Sequence, residues 1–437
     1  MQSIWEREVT MPSFAPMEGD KKVDVLIIGG GIAGLLCAHF LRNSGVEYCL
    51  VEADRIGSGI TGHTTAKITA QHGFVYHEIA ARYGLEAARQ YYSANQEAVE
   101  LYDKLCKETA CDWERKDNYV YSVKNRDKAE REMKVLERIG AKVRFEERIP
   151  LPFATCGAVC LPDQAQFHPL KFLAQLAKGM RIYENTRVTG FGGSTGTGER
   201  IVSTNRGRIA AKTIIVASHF PMLNKHGSYF MKLYQHRSYE LALKEAVHMP
   251  GMYVDEDKKG FSFRNAGDYL LFGGGGHRTG KDGGCYTEIR KAAEEFWPGA
   301  KEVCRFAAQD CMSLDGIPYI GTYAKHCDNL LVATGFNKWG MTSSMVAAKI
   351  LTDRICGKKS EYEALFSPSR SMLTGQLVMN LAESTVNLLS LSKKRCPHLG
   401  CALKWNKEEH SWDCPCHGSR FSETRKVLDN PANGDMK

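Results

Sequence analysis

A glycine-rich turn near the start of the chain constrains the fold more than any other feature. The apolar, β-branched run 23–28 leads directly into Gly29-Gly30-Gly31-Ile32-Ala33-Gly34, and a second apolar run, 35–41, follows. In this spacing the first glycine makes a tight turn, the second admits a pyrophosphate to a helix N-terminus, and the third lets the helix pack closely on the strand. The sequence therefore predicts an α/β unit that binds a dinucleotide through Gly29, Gly31, Ile32, Ala33 and Gly34.

An acidic residue follows the second predicted strand. The run 48–51 ends at Glu52, and a carboxylate about twenty residues beyond the glycines can accept both ribose hydroxyls of an adenosine. Glycine spacing alone is a weak signal, but strand, helix and Glu52 together make it strong. A transmembrane span over 23–41 is the competing interpretation, and we reject it because glycines, Asp24 and His39 interrupt the apolar run.

The segment 57–67, Gly-Ser-Gly-Ile-Thr-Gly-His-Thr-Thr-Ala-Lys, decides between NAD and FAD. It resembles the flavin-approaching segment of D-amino-acid-oxidase-like flavoproteins, so FAD is favoured. The run 334–342 is also similar to that family, where it opens a helix whose positive N-terminus faces the flavin. The resemblance implies cofactor contacts at these further positions: Ala53, Thr61, Thr64, Thr65, Val188, Gly335, Gly340, Met341 and Thr342.

The same resemblance predicts how the chain is divided. It covers residues 20–357 and implies a Rossmann-like FAD-binding domain of the D-amino-acid-oxidase and glutathione-reductase type, interleaved with a sheet-plus-helix (α+β) substrate domain. We expect the FAD-binding domain to contain 20–75, 150–220 and 310–357. The substrate domain would then contain 76–149, which looks helical before a strand near 118–123, and 221–309, which is richer in strands.

In the resembled family the flavin takes a hydride from the carbon that bears an amine, while the protein orients the substrate and excludes water. An arginine can hold a substrate carboxylate through two hydrogen bonds, and a tyrosine can donate a third. The glycine run 273–276 is expected to be flexible and to pass close to the flavin, with Gln309 and Asp310 also near the cavity. Four residues are candidates to face the flavin, although each is also compatible with an ordinary sheet or surface position: Tyr239, Arg264, His277 and Arg278.

Near the C-terminus, two short boxes each offer one thiolate and one imidazole. They are Cys396-Pro-His398-Leu-Gly-Cys401 and Cys414-Pro-Cys416-His417-Gly-Ser. Thiolates suit one iron and imidazoles the other, and replacing two thiolates by histidines raises the reduction potential of a two-iron cluster to roughly −150 to +300 mV. A tetrahedral structural zinc site is the alternative.

These boxes resemble those of a Rieske domain. The resemblance implies a [2Fe-2S] cluster held by Cys396, His398, Cys414 and His417, a disulfide between Cys401 and Cys416, and a hydrogen bond from Ser419 to a cluster sulfur. Between the boxes, alternating residues around 403–405 and 411–413 predict a short hairpin. The segment 369–395 is instead helix-prone, so we expect a small, incomplete all-β module over 396–437 after a linker over 358–395.

Composition excludes several classes of function. The 437 residues are 43% hydrophobic and 25% charged, which is ordinary for a globular enzyme. The net charge of +8 is spread along the chain, without basic runs interleaved with aromatics, so nucleic acid is not an expected partner. Residues 1–20 are polar and mixed, so we expect a cytoplasmic protein without a membrane span. The fifteen cysteines are scattered, and most are expected to be small buried residues.

Three functional hypotheses follow. The first is an FAD-dependent amine or amino-acid dehydrogenase that passes electrons singly through the Rieske cluster to an acceptor protein or a quinone. The second is a simple FAD oxidase with a non-functional Rieske remnant. The helix-prone segment 369–395 favours it, because a Rieske domain usually has several β-strands before the first box. The third is a non-catalytic redox sensor or electron carrier.

Overall fold

The computed structural model describes residues 2–194 and 198–436, with only the backbone described at Ser194. Within them the chain divides into two compact units that alternate along the sequence. Unit 1 contains the residues up to Val9, His63–Phe172 and His236–Gln309; unit 2 contains Thr10–Gly62, Leu173–Gln235 and the residues from Asp310 onward. The domain boundaries given above stay predictions.

The helices and strands are distributed over the whole chain. The helices are α1 Ile4–Glu8, α2 Ile32–Asn43, α3 Tyr76–Tyr83, α4 Leu85–Lys107, α5 Arg126–Arg138, α6 Pro169–Leu176, α7 Tyr229–Lys232, α8 Cys285–Phe296, α9 Gly340–Ile355, α10 Glu363–Phe366 and α11 Gly375–Leu389. The strands are β1 Lys21–Ile28, β2 Tyr48–Val51, β3 Lys67–Ile68, β4 Glu114–Tyr121, β5 Arg144–Glu146, β6 Ala158–Gln166, β7 Ile182–Tyr183, β8 Val188–Ser194, β9 Arg200–Thr204, β10 Gly207–Val216, β11 Leu233–Lys244, β12 Met252–Asp255, β13 Ser262–Ala266, β14 Tyr269–Arg278, β15 Lys301–Ser313, β16 Tyr319–Thr322, β17 Leu330–Thr334, β18 Lys404–Asn406, β19 Ser411–Asp413, β20 Arg420–Ser422 and β21 Val427–Asp429.

The main sheet of unit 2 is a parallel sheet with antiparallel additions. Its central strands run parallel in the order β17, β10, β1, β2 and β7. Strand β16 pairs antiparallel with β17, and β9 pairs antiparallel with both β10 and β8. The inward faces are apolar and buried, as the β-branched runs of β1, β10 and β17 predict for a sheet buried on both faces. The α/β fold class is confirmed.

One edge of this parallel sheet carries the residues assigned to FAD. The glycine turn follows β1 at Gly29, Glu52 follows β2, and Gly335 follows β17. Because parallel strands bring their carboxyl ends to the same edge, these residues lie at one edge of the sheet. Since β1 lies between β2 and β10, the strand order reverses there, which is where open α/β sheets bind nucleotides.

Unit 1 contains most of a nine-stranded sheet ordered β15, β11, β14, β13, β12, β4, β6 and β3, with β5 on β6. The stretch 221–309, expected to be rich in strands, contains the start of each strand from β11 to β15, and β4 begins at Glu114, earlier than the strand predicted near 118–123. The flexible segment expected at 273–276 is instead part of strand β14, where Gly273 and Gly274 pair with β11 and the register shifts just beyond them. The glycines of this segment allow close approach: a Cβ on Gly273 would lie 2.2 Å from the Glu240 carboxylate, and one on Gly275 would lie 2.3 Å from the Cys285 carbonyl oxygen.

The C-terminal module of unit 2 is a four-stranded antiparallel sheet ordered β18, β19, β20 and β21. The predicted hairpin is present, with Trp405 opposite Trp412 across β18 and β19. The module has a small buried core in which half of the fully buried residues are cysteines: Cys396, Cys401, Leu403, Cys414, Cys416, Phe421, Ala432 and Met436. With so little apolar volume, the module depends on additional interactions for its stability.

A buried ion-pair network supplies one such interaction. The Arg420 guanidinium lies 3.1 Å from the Asp413 carboxylate, 3.0 Å from Asp429 and 3.0 Å from Glu409. Burial alone would lower the pKa of Arg420, but the three carboxylates outweigh it and raise that pKa. The guanidinium therefore stays charged and ties strands β19, β20 and β21 together.

Helix α11 precedes the module with an inverted pattern of burial. Asn380 and Asn387 are buried, while Val378, Met379 and Leu389 are exposed. The Thr374 hydroxyl caps its N-terminus by accepting from the Leu377 N–H. The prediction of a helix within 369–395 is confirmed, although nothing in that prediction indicated that the asparagines face inward.

Candidate cofactor sites

The glycine turn has the close contacts that a phosphate-binding fingerprint requires. Gly29 has φ +115°, and a Cβ there would lie 2.5 Å from the Ala217 carbonyl oxygen. A Cβ on Gly34 would lie 1.9 Å from the Gly29 carbonyl oxygen, so only glycine lets α2 pack against the turn. Gly31, the N-cap residue of α2, has no side chain that could cap the helix. The helix N-terminus therefore offers backbone N–H groups and the positive end of its dipole to an anionic ligand.

The side chains of Thr61 and Glu52 accept hydrogen bonds from the backbone of this turn and of the start of α2. The Thr61 hydroxyl accepts from the Ile32 N–H at 3.2 Å, which brings the predicted flavin segment against α2. The Glu52 carboxylate accepts from the Gly30 N–H at 2.6 Å and from the Asp54 N–H at 2.9 Å. Burial raises the pKa of Glu52, and these hydrogen bonds oppose the shift. A carboxylate has about four acceptor positions, so Glu52 can still bind ribose hydroxyls, and the residues fit FAD.

The loop between β17 and α9 is held in an unusual backbone conformation. Gly335, Asn337 and Lys338 all have positive φ, at 70°, 53° and 72°. The Asn337 side chain fixes the loop by accepting from the Ser313 N–H at 2.8 Å and donating to the Gly335 carbonyl at 2.8 Å. Strained non-glycine positions of this kind concentrate at functional sites. The loop leads into Gly340, Met341 and Thr342, the first residues of α9, and no side chain caps that helix in the described residues.

The remaining predicted FAD contacts fall on both units. Ala53 follows Glu52 in unit 2, and Val188 begins β8 in the same unit. Thr64 and Thr65 belong to unit 1, where their carbonyl oxygens accept from the Trp5 indole N–H at 2.7 Å and from Arg264 at 2.8 Å. All of these assignments stay predictions.

Among the candidate catalytic residues, Arg264 is buried and engaged by backbone. Its guanidinium donates to the carbonyls of Thr65 and Ala66 at 2.8 and 3.0 Å, and to Asn265 at 3.1 Å. Burial lowers its pKa to about 9, and Glu114 opposes the shift. These contacts favour a structural role in holding the 65–66 backbone, and the proposed contact with a substrate carboxylate stays a prediction.

The structure brings Tyr239 and His277 together in unit 1. The Tyr239 hydroxyl and the His277 Nε2 are 2.9 Å apart, and the Cys285 sulfur lies 3.6 Å from the same nitrogen. His277 Nδ1 lies 2.9 Å from the Arg278 carbonyl oxygen, so Nδ1 carries the proton and Nε2 accepts from the tyrosine. Arg278 ends β14 and is half-buried. The pair Tyr239–His277 can therefore hold or move a proton.

Lys67 is a buried ionisable residue that the sequence did not single out. Its ammonium donates to the Ser262 hydroxyl at 2.6 Å. Burial lowers the pKa of Lys67 to about 7, although the Glu240 carboxylate acts in the opposite direction. The partner is 195 residues away in the sequence, so no local pattern could have revealed the burial.

The two cluster boxes form matching turns. Gly400 N–H donates to the Cys396 carbonyl, and Gly418 N–H donates to the Cys414 carbonyl, both at 2.9 Å. Both glycines have positive φ, at 80° and 88°. The chain therefore turns back over each box in the same way.

The ring nitrogens of His398 and His417 are suited to binding a metal. The rings of His398 and His417 lie 5.0 Å apart and perpendicular. In both, Nδ1 is buried and has no hydrogen-bond partner among the described residues, which is costly unless a ligand is bound there. Burial, followed by the neighbouring His417, lowers the pKa of His398 to about 4 and keeps its imidazole neutral. Neutral imidazole is the form that binds a metal, so the residues fit the cluster.

The cysteine sulfurs converge at the same place. Hydrogen bonds from Cys396, Cys401 and Cys416 lower the pKa of Cys414, which favours the thiolate that iron requires. The potential ligand atoms of Cys401, Cys414, Cys416 and His417 all lie within 4.8 Å of one another. That grouping includes the predicted disulfide pair, and Cys401 is a thiol in the structure. Both the ligand set and the disulfide therefore stay predictions.

Within unit 2, the cluster module contacts the segment 218–235, here called the docking segment. His398 Nε2 lies 2.8 Å from the Asn224 side-chain oxygen. Asn430 donates to the carbonyls of Ser218 and Phe220 at 3.1 and 2.9 Å, and its own carbonyl accepts from Gln235 at 3.0 Å. These contacts could not be predicted, because nothing in the local sequence marks an asparagine or a glutamine as a partner for a distant module.

The second cluster box contacts the same segment through Gly418 and His417. A Cβ on Gly418 would lie 2.4 Å from the Gln235 Cβ. The His417 ring lies 6.1 Å from the Phe230 ring in an edge-on arrangement. In addition, Asn380 of α11 donates to the Met231 carbonyl at 3.1 Å. Both boxes are thus seated on the docking segment.

Comparisons with known proteins agree with this geometry. The FAD dependent oxidoreductase (DAO) family profile matches residues 24–354, and the Rieske [2Fe-2S] domain profile matches 371–437. The chain is 34% identical to the Bacillus subtilis protein YhfW, whose name describes it as a Rieske 2Fe-2S iron-sulfur protein, over 100% of this chain and 97% of YhfW. It is 23% identical to Escherichia coli gamma-glutamylputrescine oxidoreductase, over 78% of this chain and 85% of that protein.

A solved structure has the same fold. Glycine oxidase from Geobacillus kaustophilus superposes with a TM-score of 0.68 at 20% identity, covering 80% of this chain and all of that one. In the part of the chain that the structure describes, no helix is both long and apolar enough to cross a bilayer. The predicted resemblances and the FAD and [2Fe-2S] cofactors are confirmed. The chain belongs to the FAD-dependent oxidoreductase family of the D-amino-acid-oxidase type, and it carries a C-terminal Rieske domain.

Proposed function

We propose that this enzyme is an FAD-dependent dehydrogenase of an amine or amino acid, and that its Rieske cluster carries the electrons singly to an acceptor. The names of two similar proteins, glycine oxidase and gamma-glutamylputrescine oxidoreductase, support the substrate class. The electron route is supported by the way in which the cluster module is seated on the unit that carries the glycine turn.

The docking segment is the observation on which this proposal depends. It leaves the carboxyl edge of the nucleotide-binding sheet after β10 and supports both cluster boxes. The Thr334 hydroxyl, next to Gly335, donates to the His219 carbonyl. The His219 ring lies 3.1 Å from the Gln235 side-chain oxygen, and Gln235 donates to Asn430 at 3.0 Å. Hydrogen-bonded contacts therefore continue from the predicted flavin loop to the cluster module within one unit.

The chemistry is balanced as an amine oxidation. FAD, when bound, would supply hydride acceptance, and the cluster would supply one-electron transfer. Oxidation of the protonated amine to an iminium releases two electrons and two protons, one proton from the nitrogen and one from the hydrogen taken from carbon. Two equivalents of a one-electron acceptor receive the two electrons, both protons pass to solvent, and water hydrolyses the iminium. The protein must therefore hold the substrate, accept a proton and exclude water.

Unit 1 supplies residues suited to those tasks. Tyr239 and His277 form a hydrogen-bonded pair that can hold a proton, and Arg278 beside them can bind a carboxylate. Lys67 is a further proton acceptor that we assign to the substrate ammonium group. A base with a pKa near the working pH is the most effective general base, and the pKa of Lys67 lies at about 7 because of burial.

The role of Lys67 predicts a pH dependence. Lys67 is charged below a pH of about 7 and neutral above it, so only above that pH can it accept the substrate's proton. The rate of anaerobic flavin reduction should rise through this pH in the native enzyme. In Lys67→Met the rate of flavin reduction should no longer rise with pH in this range, and at pH 8 it should be roughly 100-fold lower than in the native enzyme. In Ser262→Ala the rate should still rise with pH, with the midpoint of the rise displaced. An unchanged pH profile in Lys67→Met would show that Lys67 is not the proton acceptor.

The overall proposal is tested by mixing the intact holoenzyme anaerobically with a panel of amines and amino acids. We expect at least one member to bleach the flavin, and turnover with ferricyanide to exceed turnover with dioxygen. Equal or faster turnover with dioxygen would support a simple oxidase with a non-functional cluster. Flavin that dithionite reduces but no panel member reduces would support a sensor or carrier.

A further inference from the structure

We infer that Asn224 is the residue through which the flavin-binding unit controls the cluster, by fixing the tautomer of the predicted iron ligand His398 and lowering the reduction potential of the cluster. This inference rests on the proposed electron route and assigns a residue to it. The route requires a cluster whose potential is matched to its donor, and the protein sets that potential through hydrogen bonds to the ligands.

The hydrogen bonds around Asn224 fix the orientation of its side-chain amide. Asn224 is 5% exposed, and its Nδ2 donates to the Met222 carbonyl at 3.4 Å. The backbone around it is held as well, because the Phe230 N–H donates to the Asn224 carbonyl at 3.2 Å. With the amide nitrogen directed at Met222, the amide oxygen faces His398 and can only accept.

The same contact determines which imidazole nitrogen of His398 carries the proton. His398 Nε2 lies 2.8 Å from that oxygen, so Nε2 must carry the proton. The neutral ring then has its lone pair on Nδ1, and Nδ1 of His398 is buried without a partner among the described residues. Asn224 therefore selects the tautomer that can bind iron, as a hydrogen-bond acceptor on the outer nitrogen commonly does for a metal-bound histidine.

The sign of the effect on the reduction potential follows from this contact. Accepting the Nε2–H makes the imidazole a more basic ligand. A more basic ligand stabilises ferric iron more than ferrous iron, so the contact lowers the potential of the cluster. Loss of the acceptor should raise the potential, and a stronger, anionic acceptor should lower it further.

The contact also distinguishes the two boxes. His398 is half-buried and bound by Asn224 of the docking segment, whereas His417 is buried beside the Phe230 ring. A substitution at Asn224 should therefore affect His398 and leave the contacts between the second box and the docking segment intact.

The test is a potentiometric titration of the holoenzyme with chemical reductants, followed by electron paramagnetic resonance of the cluster. Asn224→Leu should shift the cluster potential upward and Asn224→Asp should shift it downward. Asn380→Leu is the matched control, because Asn380 is also a buried asparagine that bonds the docking segment, at the Met231 carbonyl. It should leave the potential at the wild-type value.

Equal potentials in wild type, Asn224→Leu and Asn224→Asp would overturn the inference, as would a shift of the same size in Asn380→Leu. If Asn224→Leu lost its cluster, the sign of the shift in Asn224→Asp would still decide. The titration uses no substrate, so it can succeed even if the amine panel fails, and the two failures remain distinguishable.

Discussion

The parallel sheet of unit 2 and the cluster module at its C-terminal end are stabilised in different ways. The sheet buries long apolar strands against α2 and α9 and has a core of its own. The module has four strands of three residues each, and half of its buried core consists of cysteines. The first region forms its cofactor site on a fold that apolar burial already supports, whereas the second needs its cofactor and an ion-pair network to complete its core.

The largest effect on either region should come from a substitution in the glycine turn of the parallel sheet. In Gly34→Ala the new Cβ would meet the Gly29 carbonyl oxygen at 1.9 Å, so α2 must move away from the turn and the pyrophosphate site is lost. We expect the purified variant to lack bound FAD, as measured by its visible absorption. Gly193→Ala is the control, since a Cβ there meets nothing within 4 Å. A yellow Gly34→Ala protein would show that the fingerprint is not the FAD site.

Removal of iron should destabilise the cluster module and leave the parallel sheet unchanged. Without the cluster, the four core cysteines enclose no metal, and the two buried Nδ1 atoms of His398 and His417 stay without partners. We expect amide hydrogen exchange to become fast in 396–436 while exchange in β1 and β10 and the flavin spectrum stay unchanged. Equal protection of the module with and without iron would show that it folds independently of its cofactor.

A smaller effect is expected when the buried network of the module is broken. Arg420→Ala leaves the carboxylate of Asp413 buried without its cation, and breaking a buried pair in this way costs about 3–5 kcal/mol. The cluster content per flavin should fall, as measured by iron analysis of the purified protein. The control is Lys407→Ala, at an exposed residue of the same module, which should retain full iron content.

The smallest effect concerns a single surface contact. The Lys394 ammonium lies 4.8 Å from the centre of the Trp412 ring, a cation–π contact worth about 0.5–1 kcal/mol. Lys394→Gln should lower the denaturant midpoint of the module slightly, followed by tryptophan fluorescence. The neighbouring Lys393 is exposed, and Lys393→Gln should cause no change. Equal effects of both substitutions would attribute the loss to net charge and not to the ring.

The two regions also differ in how well the sequence predicts them. Local patterns predicted β1, the glycine turn, β2, α9 and the β18–β19 hairpin, because apolar runs and glycine spacing determine these elements within a few residues. The Rieske domain could be predicted because its two Cys/His boxes combine specific residue types at fixed spacings, while the individual ligands stay a prediction. The helix-prone segment before the first box was also predictable, and it is α11 in the structure.

Long-range contacts account for what the sequence could not predict. Asn224 meets His398 across 174 residues, and Lys67 meets Ser262 across 195, so no periodicity reveals either pair. Residues 1–20 looked polar and mixed, yet α1 buries Trp5, which donates to the Thr64 carbonyl. Arg264 looked like a substrate-binding arginine, but whether an arginine donates to carbonyl groups of its own chain depends on the fold around it.

The central claim is that electrons taken from the substrate reach the cluster inside one molecule. The most direct measurement is electron paramagnetic resonance of the holoenzyme after anaerobic reduction by an active amine or amino acid. We expect the signal of a reduced, mixed-ligand two-iron cluster, similar in shape to the signal obtained with dithionite. Flavin fully bleached by substrate, with a cluster that stays silent until dithionite is added, would contradict the central claim.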